Sequence, residues 1–381
     1  MKMSAEKILE INGLVLNFYT YEGVVRALDG VNLEVREGET LGLVGETGCG
    51  KSVTSFSTLV LVPSPGKIEG GRIHFKVQGK KVDLLRQSDA FLRNIRGNDI
   101  SMVFQEPRAY LNPVYTASEQ ISEVLVKHRK EELLKRALES LEQERRKKGL
   151  KGSTFEMNLY KRMLKNPKAL SARILSKIPR SQRRYKQEVR KEVVQILKEM
   201  EIPDPERVAK MYPHELSGGM AQRVVIAMAL ACNPKLLIAD EPTTNLDVTV
   251  QAQILHLIKI LKNRFKSSIL YITHDLGVVA EISDRVAVMY AGNVVELADV
   301  YELFEKPLHP YTRGLLESIP RPNRPLKSIP GTVPGLINPP SGCRFHDRCS
   351  YTMEICQKVK PSFIEVGKDH SVACFLYGGS K

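Results

Sequence analysis

The sequence predicts an α/β fold built around a mainly parallel sheet. Apolar segments with the length of strands alternate with segments of helical pattern, which is typical of parallel strands covered by helices. Two of the apolar segments, KLLIADEP and SSILYITHD, carry polar residues where the strand ends. In open parallel sheets the functional site lies at the carboxyl ends of the strands. The 381 residues are enough for two or three domains.

The first part of the chain indicates short strands, one helix after a glycine-rich stretch, and a longer helical region. ILEINGLVLNFY and ALDGVNLEVREGETLGLVG have strand patterns that are broken by turns rich in glycine and asparagine. TLGLVG leads directly into a glycine-rich stretch, and KSVTSFSTLVLV after it has helical character. DISMVFQ is the next strand candidate, and residues 116–200 are mostly helical and polar.

The second part continues the alternation and then changes character. QRVVIAMALAC indicates a buried helix, KLLIADEP and SSILYITHD indicate buried strands, and RVAVMYAGNVVELA indicates a hairpin. After Pro320 the segment is rich in proline and glycine, which predicts a linker. Four cysteines follow the predicted linker, and we expect that this tail docks as a separate small module.

The positive charge of the chain is concentrated in one segment. From Lys127 to Lys191 there are 22 Lys and Arg against 7 Asp and Glu, a net charge of +15, whereas the whole chain carries +14. The local pattern EELLKRALESLEQERRKK mixes both signs, which favours a solvated helical face. Attraction to nucleic acid or to an anionic membrane surface is the alternative interpretation.

Membrane-spanning and secreted classes are disfavoured by the apolar pattern. The longest apolar runs, such as VVIAMALAC, are too short to cross a bilayer, and the N-terminal segment MKMSAEKILEING does not resemble a signal peptide. We therefore expect an intracellular protein. In a reducing cytosol a cysteine cluster indicates metal binding before disulfides.

The stretch GETGCGKS fits the phosphate-loop pattern G-x-x-x-x-G-K-[ST], in the strand-to-helix context that the motif requires. Its glycines let backbone N–H groups wrap the phosphates, and the following helix start adds positive potential. Lys51 is expected to neutralise the β- and γ-phosphates, and Ser52 to ligate Mg²⁺. The candidate ATP-binding residues of this segment are Gly45, Glu46, Thr47, Gly48, Cys49, Gly50, Lys51, Ser52 and Val53.

Further polar residues at predicted strand ends suit hydrolysis of a phosphate bond. Asp240 and Glu241 are adjacent carboxylates after an apolar strand, where they are costly unless they serve a cation or a reaction. Asp240 suits Mg²⁺, and Glu241 is placed to polarise an attacking water as general base. His274 can contact the γ-phosphate and the water, and Gln105 can reach Mg²⁺ and the water.

The stretch HELSGGMAQR raises the possibility of a second anion site. Ser217 and the N–H groups of Gly218 and Gly219 begin a predicted helix, and helix starts bind anions. Because the phosphate loop already surrounds one triphosphate, a second site without its own lysine is best explained if it closes over a nucleotide that another subunit holds.

In their order, these motifs resemble those of ATP-binding cassette (ABC) ATPases. The segments MVFQEPRAYLNP, LDVTVQAQIL, THDLGVVAEISDRVAVMYAGNVVE, HPYTRGLLESIP and IPGTVPGLINPPSGCRFHDRC are similar to the oligopeptide/dipeptide importer branch. The resemblance covers most of the chain. It implies a P-loop NTPase (RecA-like) core sheet with an antiparallel β subdomain, an inserted helical subdomain and a small Cys-rich C-terminal extension.

The resemblance also implies how the chain works and with which partners. A second ATPase subunit, identical or homologous, would form a head-to-tail sandwich of two nucleotides. Two membrane-spanning permease subunits would hold the pair at the cytoplasmic face of the cell membrane, and an extracytoplasmic protein would deliver the peptide. Oligosaccharide or metal is the alternative cargo. A soluble ABC ATPase that acts on nucleic acid or ribosomes is the alternative class, although nucleic acid is not the expected partner.

The resemblance assigns more specific roles to several residues. Ser217, Gly218 and Gly219 would cap the γ-phosphate on the partner's phosphate loop, and Asp247 would lie in the loop that senses the partner. Asn245 stands where the family usually has a small residue. An aromatic ring is expected to stack on adenine: Phe18 fits best, and the rivals are Tyr19 and Tyr21.

Two features depart from the family pattern. The helical subdomain, about residues 106–232, is longer than usual, and the excess is the basic insertion at about 127–191. The cysteines follow the spacing C-x5-C-x6-C-x17-C, which lacks the short pairs of structural zinc sites. Some members of this branch hold a [4Fe–4S] cluster, which four thiolates suit; zinc and free thiols are the alternatives. The residues concerned are Cys343, Cys349, Cys356 and Cys374.

The predicted boundaries follow from these assignments. Residues 1–320 form the ATP-binding cassette domain, including the helical subdomain and its insertion. Residues 321–381 form the Pro-rich linker and the four-cysteine extension. The predicted Mg²⁺ ligands are Ser52, Gln105 and Asp240.

Overall fold

The computed structural model describes residues 6–150, 154–166, 182–320 and 327–378. The chain divides into two units, of which the first comprises Met1–Gln105, Lys235–Thr244 and Gln251–Lys381, and the second comprises Glu106–Pro234 and Asn245–Val250. Within the four described ranges, no helix combines the length and the apolar character that a membrane span needs.

The strands of the described residues all belong to the first unit. In chain order they are β1 Lys7–Thr20, β2 Gly23–Arg36, β3 Thr40–Val44, β4 Gly66–Val77, β5 Lys80–Asp83, β6 Ile100–Val103, β7 Leu236–Asp240, β8 Ser268–Thr273, β9 Arg285–Tyr290, β10 Asn293–Asp299, β11 Ile364–Gly367 and β12 His370–Val372.

The helices lie in both units. The α-helices are Lys51–Thr58, Asp89–Ile95, Pro107–Tyr110, Ala117–His128, Lys130–Lys147, Phe155–Lys165, Arg183–Glu199, Pro205–Val208, Gly218–Leu230, Val248–Phe265, Leu276–Ile282, Val300–Glu305, Pro310–Glu317 and Glu354–Lys358. A short 3₁₀ turn, His346–Arg348, lies among the late cysteines.

The core sheet runs in the order β11-β12-β10-β9-β3-β8-β7-β6. Strands β9, β3, β8, β7 and β6 pair in parallel. Strands β3, β7 and β8 are buried along their whole length, as expected for parallel strands that are covered on both faces. In the register Val44 pairs with Thr273 and Asp240 pairs with Ile272, so the carboxyl ends of these strands meet at one edge. The predicted α/β class with a mainly parallel core sheet is confirmed.

A separate antiparallel sheet runs in the order β2-β1-β4-β5. Strands β1 and β2 have 14 residues each, so the turns expected from glycine and asparagine do not break them. The register shifts between Ile11 and Leu14 instead, where Gly13 has φ 60° and its N–H donates to Asn32 Oδ1 at 2.8 Å. The glycine therefore forms a β-bulge inside a continuous strand.

The two sheets share one hydrophobic core within the first unit. Residues of the antiparallel sheet, such as Leu14 and Leu28, belong to the same buried cluster as Leu43 of β3 and Ile238 of β7. Burial of such side chains is worth about 1.5–3 kcal/mol each. The parallel strands β3 and β7 are therefore held firmly along their length.

The basic insertion forms helices with one buried and one charged face. Ion pairs lie on the outer side, for example between Arg136 and Glu192 at 2.6 Å and between Lys161 and Glu142 at 3.2 Å. The predicted solvated helical face is therefore only one side of these helices, because their other side buries apolar residues. The buried residues are Leu133, Leu134, Ala137, Leu141, Met157, Leu159, Tyr160, Met163, Tyr185 and Val189. Residues 151–153 and 167–181 of the insertion lie outside the described residues.

The C-terminal segment joins the core sheet. Strand β12 pairs with β10 through Glu296 and Val372, and β11 pairs with β12. Glu296 is fully buried, its Oε1 lies 2.8 Å from His370 Nε2, and its carboxylate also accepts the N–H groups of Leu308 and His309. The Pro-rich linker predicted that the tail is a separate small module. The structure differs from this prediction, because strand β12 pairs with β10 and the tail is therefore part of the first unit.

Candidate functional site

The phosphate loop lies between β3 and the helix Lys51–Thr58. A Cβ atom at Gly45 would lie 2.1 Å from the carbonyl oxygen of Met289, so no side chain fits there. Gly50 has φ 104°, and a Cβ there would lie 2.8 Å from a methyl carbon of Leu28. The loop therefore requires glycine at both positions, and this keeps its backbone N–H groups accessible to phosphate.

Lys51 is the first residue of the helix and is buried. Its Nζ donates to the carbonyl oxygens of Gly45 at 2.8 Å and of Glu46 at 3.0 Å. The ammonium group is thus held at the concave side of its own loop, where a phosphate would meet a positive charge, backbone N–H groups and a helix N-terminus together.

Ser52 and Asp240 face each other across the edge of the sheet. The Ser52 hydroxyl donates to Asp240 Oδ1 at 3.2 Å. Burial raises the pKa of Asp240 to about 6, and the Ser52 hydrogen bond opposes this rise. A hydroxyl beside a carboxylate is a pair of hard oxygen ligands, so the donor set fits Mg²⁺.

Glu241 is the centre of a second cluster at the same edge. Its Oε1 lies 3.0 Å from His274 Nδ1, and its Oε2 accepts hydrogen bonds from Gln105 Nε2 at 3.1 Å and from the Thr244 hydroxyl at 3.0 Å. The backbone of Glu241 is left-handed, with φ 46°, which turns its side chain at the end of β7. The structure thus brings together the three residues predicted as catalytic.

Thr244 is the member of this cluster that the sequence motifs did not predict. It lies three residues after Glu241, and its N–H also donates to the Glu241 carbonyl oxygen at 3.2 Å. The signal was present in the segment EPTTN, where a hydroxyl falls one turn beyond the carboxylate. Lone threonines of this kind are common in turns, so the pattern alone did not single it out.

The aromatic candidates for adenine have different environments. Phe18 is half-buried and packs against the core cluster of the first unit. The Tyr19 hydroxyl donates to Glu69 at 2.8 Å, and Lys67 lies over its ring. Tyr21 is fully exposed. The choice of Phe18 stays a prediction.

The predicted second anion site lies in the second unit. Ser217 is the N-cap of the helix Gly218–Leu230, and its Oγ accepts the Met220 N–H at 3.3 Å. A Cβ atom at Gly219 would lie 2.9 Å from a methyl of Val250, so glycine is favoured there. The helix N-terminus has the N–H groups that an anion requires.

The predicted partner-sensing loop is structured by its own side chain. Asp247 Oδ1 accepts the N–H of Val250 at 2.9 Å, and Asn245 is left-handed with φ 64°. Asparagine tolerates this conformation better than most residues, which accounts for its presence where the family usually has a small one.

The four late cysteines border one small pocket, together with His309 and His346. None of the four forms a disulfide, and burial raises the pKa of Cys343 to about 12. Over the described ranges, no group of three or more His, Cys, Asp or Glu side chains is arranged to hold a metal ion. The expected iron–sulfur or zinc site is therefore not confirmed.

Comparison with known proteins agrees with the fold and the motifs. Residues 28–244 match the family described as ABC transporter, and residues 295–356 match the C-terminal region of oligopeptide/dipeptide transporters. The dipeptide transport ATP-binding protein DppD of Bacillus subtilis (strain 168) is 43% identical over 375 residues, which cover 97% of this chain and 95% of that protein. The oligopeptide transport ATP-binding protein OppD of the same strain is 44% identical over 375 residues, which cover 97% of this chain and 89% of that protein.

Solved structures show the same architecture. The structure of a dimeric bacterial ABC transporter cassette, MJ0796, matches with a TM-score of 0.55 at 24% sequence identity. The match covers 77% of this chain and 98% of that protein, and at this identity it shows a similar fold only. CbiO1 from Clostridium perfringens, part of an ABC transporter complex, matches with a TM-score of 0.54 at 26% sequence identity. The match covers 79% of this chain and 92% of that protein. The resemblance seen in the sequence is thus confirmed: the chain belongs to the ABC transporter family and is one of its ATPases.

Proposed function

We propose that this chain is the ATP-hydrolysing subunit of an importer for dipeptides or oligopeptides. The observation that carries the proposal is the pair of clusters at one sheet edge, Ser52 with Asp240 and Glu241 with Gln105 and His274. The peptide cargo is supported by the match of residues 295–356 to the C-terminal region of oligopeptide/dipeptide transporters. It is also supported by the similarity to dipeptide and oligopeptide transport ATP-binding proteins. The same region and relatives favour this function over an ATPase that acts on RNA.

In the proposed reaction each residue at the edge has one role. Lys51 neutralises the β- and γ-phosphates, and the loop N–H groups orient them. Ser52, Asp240 and Gln105 would hold Mg²⁺, which balances phosphate charge when bound. Glu241 accepts the proton of the attacking water. His274, 3.0 Å from that carboxylate, keeps it oriented toward the water.

The active assembly is proposed to be a pair of ATPase subunits. Ser217 and Gly219 cap the γ-phosphate on the partner's loop, and Asp247 senses the partner. The dimeric solved relative supports this arrangement. Two permease subunits would bind the pair at the cytoplasmic face of the membrane, and a substrate-binding protein would supply the peptide.

We also propose that Cys343, Cys349, Cys356 and Cys374 hold a [4Fe–4S] cluster, with zinc as the alternative. The support is that all four thiols border one pocket and that four thiolates are the ligand set of such clusters. Iron, sulfide and zinc analysis of anaerobically purified protein tests this. Stoichiometric iron and sulfide that are lost in Cys349→Ser support the cluster, whereas stoichiometric zinc without iron contradicts it.

The function is tested with the complete transporter in membrane vesicles. ATP-dependent uptake of a labelled dipeptide, absent when the complex carries Lys51→Ala, is the expected result. An oligosaccharide and a transition-metal ion serve as competing cargoes. Stimulation of the ATPase by RNA, with no response to any of these cargoes, would favour the soluble ABC ATPase instead.

A further inference from the structure

The carboxylate of Glu46, the second residue of the phosphate loop, is bound by an arginine from the C-terminal segment. Arg348 Nη1 donates to Glu46 Oε2 at 2.7 Å, and Arg348 Nη2 donates to Oε1 at 3.0 Å. This is the two-pronged geometry that makes arginine–carboxylate pairs strong and directional. Arg348 is only 8% exposed and the Glu46 side chain is 28% exposed, so the pair is partly shielded from solvent.

The guanidinium is itself held from several sides. Its Nε donates to the carbonyl oxygen of Pro330 at 2.8 Å, and Nη1 also donates to the Tyr290 hydroxyl at 3.2 Å. It lies over the rings of Tyr290 and Phe345, with centroid distances of 5.7 and 5.9 Å. Since these contacts fix the cation, they also fix the position of the carboxylate that it binds.

The same loop residue has a second external contact through its backbone. The N–H of Glu46 donates to the Tyr311 hydroxyl at 2.9 Å, and Tyr311 is fully buried in the helix Pro310–Glu317. The stretch of loop next to Lys51 is thus held by residues that lie more than 260 positions later in the chain. Neither contact belongs to the phosphate-loop motif.

We propose that Arg348 is a positioning residue for nucleotide binding, which acts by neutralising and orienting Glu46 in the phosphate loop. An unpaired carboxylate in this loop would repel a triphosphate, because like charges a few ångströms apart interact strongly where water is limited. With Arg348 in place, the charge is balanced before ATP arrives. The cysteine-bearing segment therefore contributes to ATP affinity, although it supplies none of the residues proposed to contact phosphate.

The contact between Arg348 and Glu46 also connects the phosphate loop with the cysteine-bearing segment over a few residues of chain. Arg348 ends the 3₁₀ turn His346–Arg348, and the next residue is Cys349. The Cys349 N–H donates to the His346 carbonyl oxygen at 3.2 Å, so the thiol and the guanidinium belong to one hydrogen-bonded turn. A change at the thiols that moved this turn would move the partner of Glu46 with it.

The test compares Arg348→Gln, Arg348→Lys, Glu46→Gln and the double variant Glu46→Gln/Arg348→Gln. We expect Arg348→Gln to raise the Kd of a fluorescent ATP analogue and the KM for ATP about tenfold, because the Glu46 carboxylate is then left without its cation beside the triphosphate. The kcat at saturating ATP should change little. Arg348→Lys should lie between Arg348→Gln and the wild type, and the double variant should recover most of the affinity, since it removes the unpaired carboxylate.

Arg313→Gln is the matched control, because Arg313 also joins the tail through Tyr377 but has no contact with the loop. It should leave Kd and KM unchanged. The proposal is overturned if Arg348→Gln binds the analogue like the wild type, or if the double variant binds no better than Arg348→Gln. If Arg348→Gln does not fold, Arg348→Lys decides: an unchanged Kd then contradicts the proposal, and an increase that Glu46→Gln reverses supports it.

Discussion

The catalytic edge of the core sheet and the basic insertion are built in opposite ways. At the edge, Asp240 ends a strand that is buried along its whole length, and Glu241 follows it directly. In the insertion, Leu133 and Tyr160 are fully buried, while the charges lie on exposed outer faces. The contrast teaches that the excess positive charge of the chain lies on exposed helical faces, whereas the residues proposed for phosphate chemistry are a few polar side chains at the ends of buried strands.

The first prediction concerns the edge and has the largest expected effect. Glu241→Gln should lower ATP turnover by about 100-fold or more, because general-base catalysis typically supplies 10²–10⁴-fold. ATP binding and the melting temperature should stay close to the wild type, since Lys51 and Ser52 are unchanged. Steady-state ATPase and binding of a fluorescent ATP analogue measure both. Glu281→Gln, a change of the same kind on an outer helix, is the control, and near-normal turnover in Glu241→Gln would contradict the role.

The second prediction compares the catalytic edge with the predicted anion site at the start of the helix Gly218–Leu230. Ser217→Arg should leave ATP affinity of the isolated subunit intact, because the phosphate loop is untouched. Turnover of the assembled transporter should fall by about 100-fold, since a preorganised cap on the γ-phosphate is lost. Loss of ATP binding by the isolated subunit would mean that Ser217 acts on its own nucleotide, and the two-subunit site would be wrong.

The third prediction concerns the buried face of the insertion. Tyr160 is fully buried, and its hydroxyl accepts the Tyr185 N–H at 3.2 Å. Tyr160→Ala should lower the free energy of unfolding by about 3–5 kcal/mol through the cavity that it leaves. ATP affinity of the protein that remains folded should not change. Thermal unfolding is the measurement, with the exposed Phe155→Ala as control; equal effects of the two would show that this face is not a core.

The fourth prediction concerns the charged face and has the smallest effect. Lys161→Gln combined with Arg162→Gln removes two exposed positive charges of one helix. The free energy of unfolding should change by less than about 1 kcal/mol, as usual for surface charges. Turnover should stay unchanged. A salt-sensitive affinity for RNA that disappears in this variant would revive the nucleic-acid interpretation.

The parts of the site that local sequence determines could be predicted. The phosphate loop, the pair Asp240 and Glu241, and His274 all follow buried strands, so strand pattern and polar strand ends were enough to place them together. The parts of the structure that depend on contacts between distant residues could not be predicted. The pairing of β12 with β10 and the contact of Arg348 with Glu46 join residues that are at least 74 positions apart, and no periodicity carries such information.

The pairing of β12 with β10 has a consequence for handling shortened forms of the protein. Without the last two strands, β10 would become the edge of the sheet and expose a row of backbone N–H and C=O groups between apolar side chains. Such an edge is a template for self-association. In the full chain the edge is β11, a strand of four residues with an acidic side chain at Glu365. We therefore expect the tail to protect the cassette from aggregation, and a cassette cut before Ile364 to precipitate at concentrations where the full chain stays dispersed.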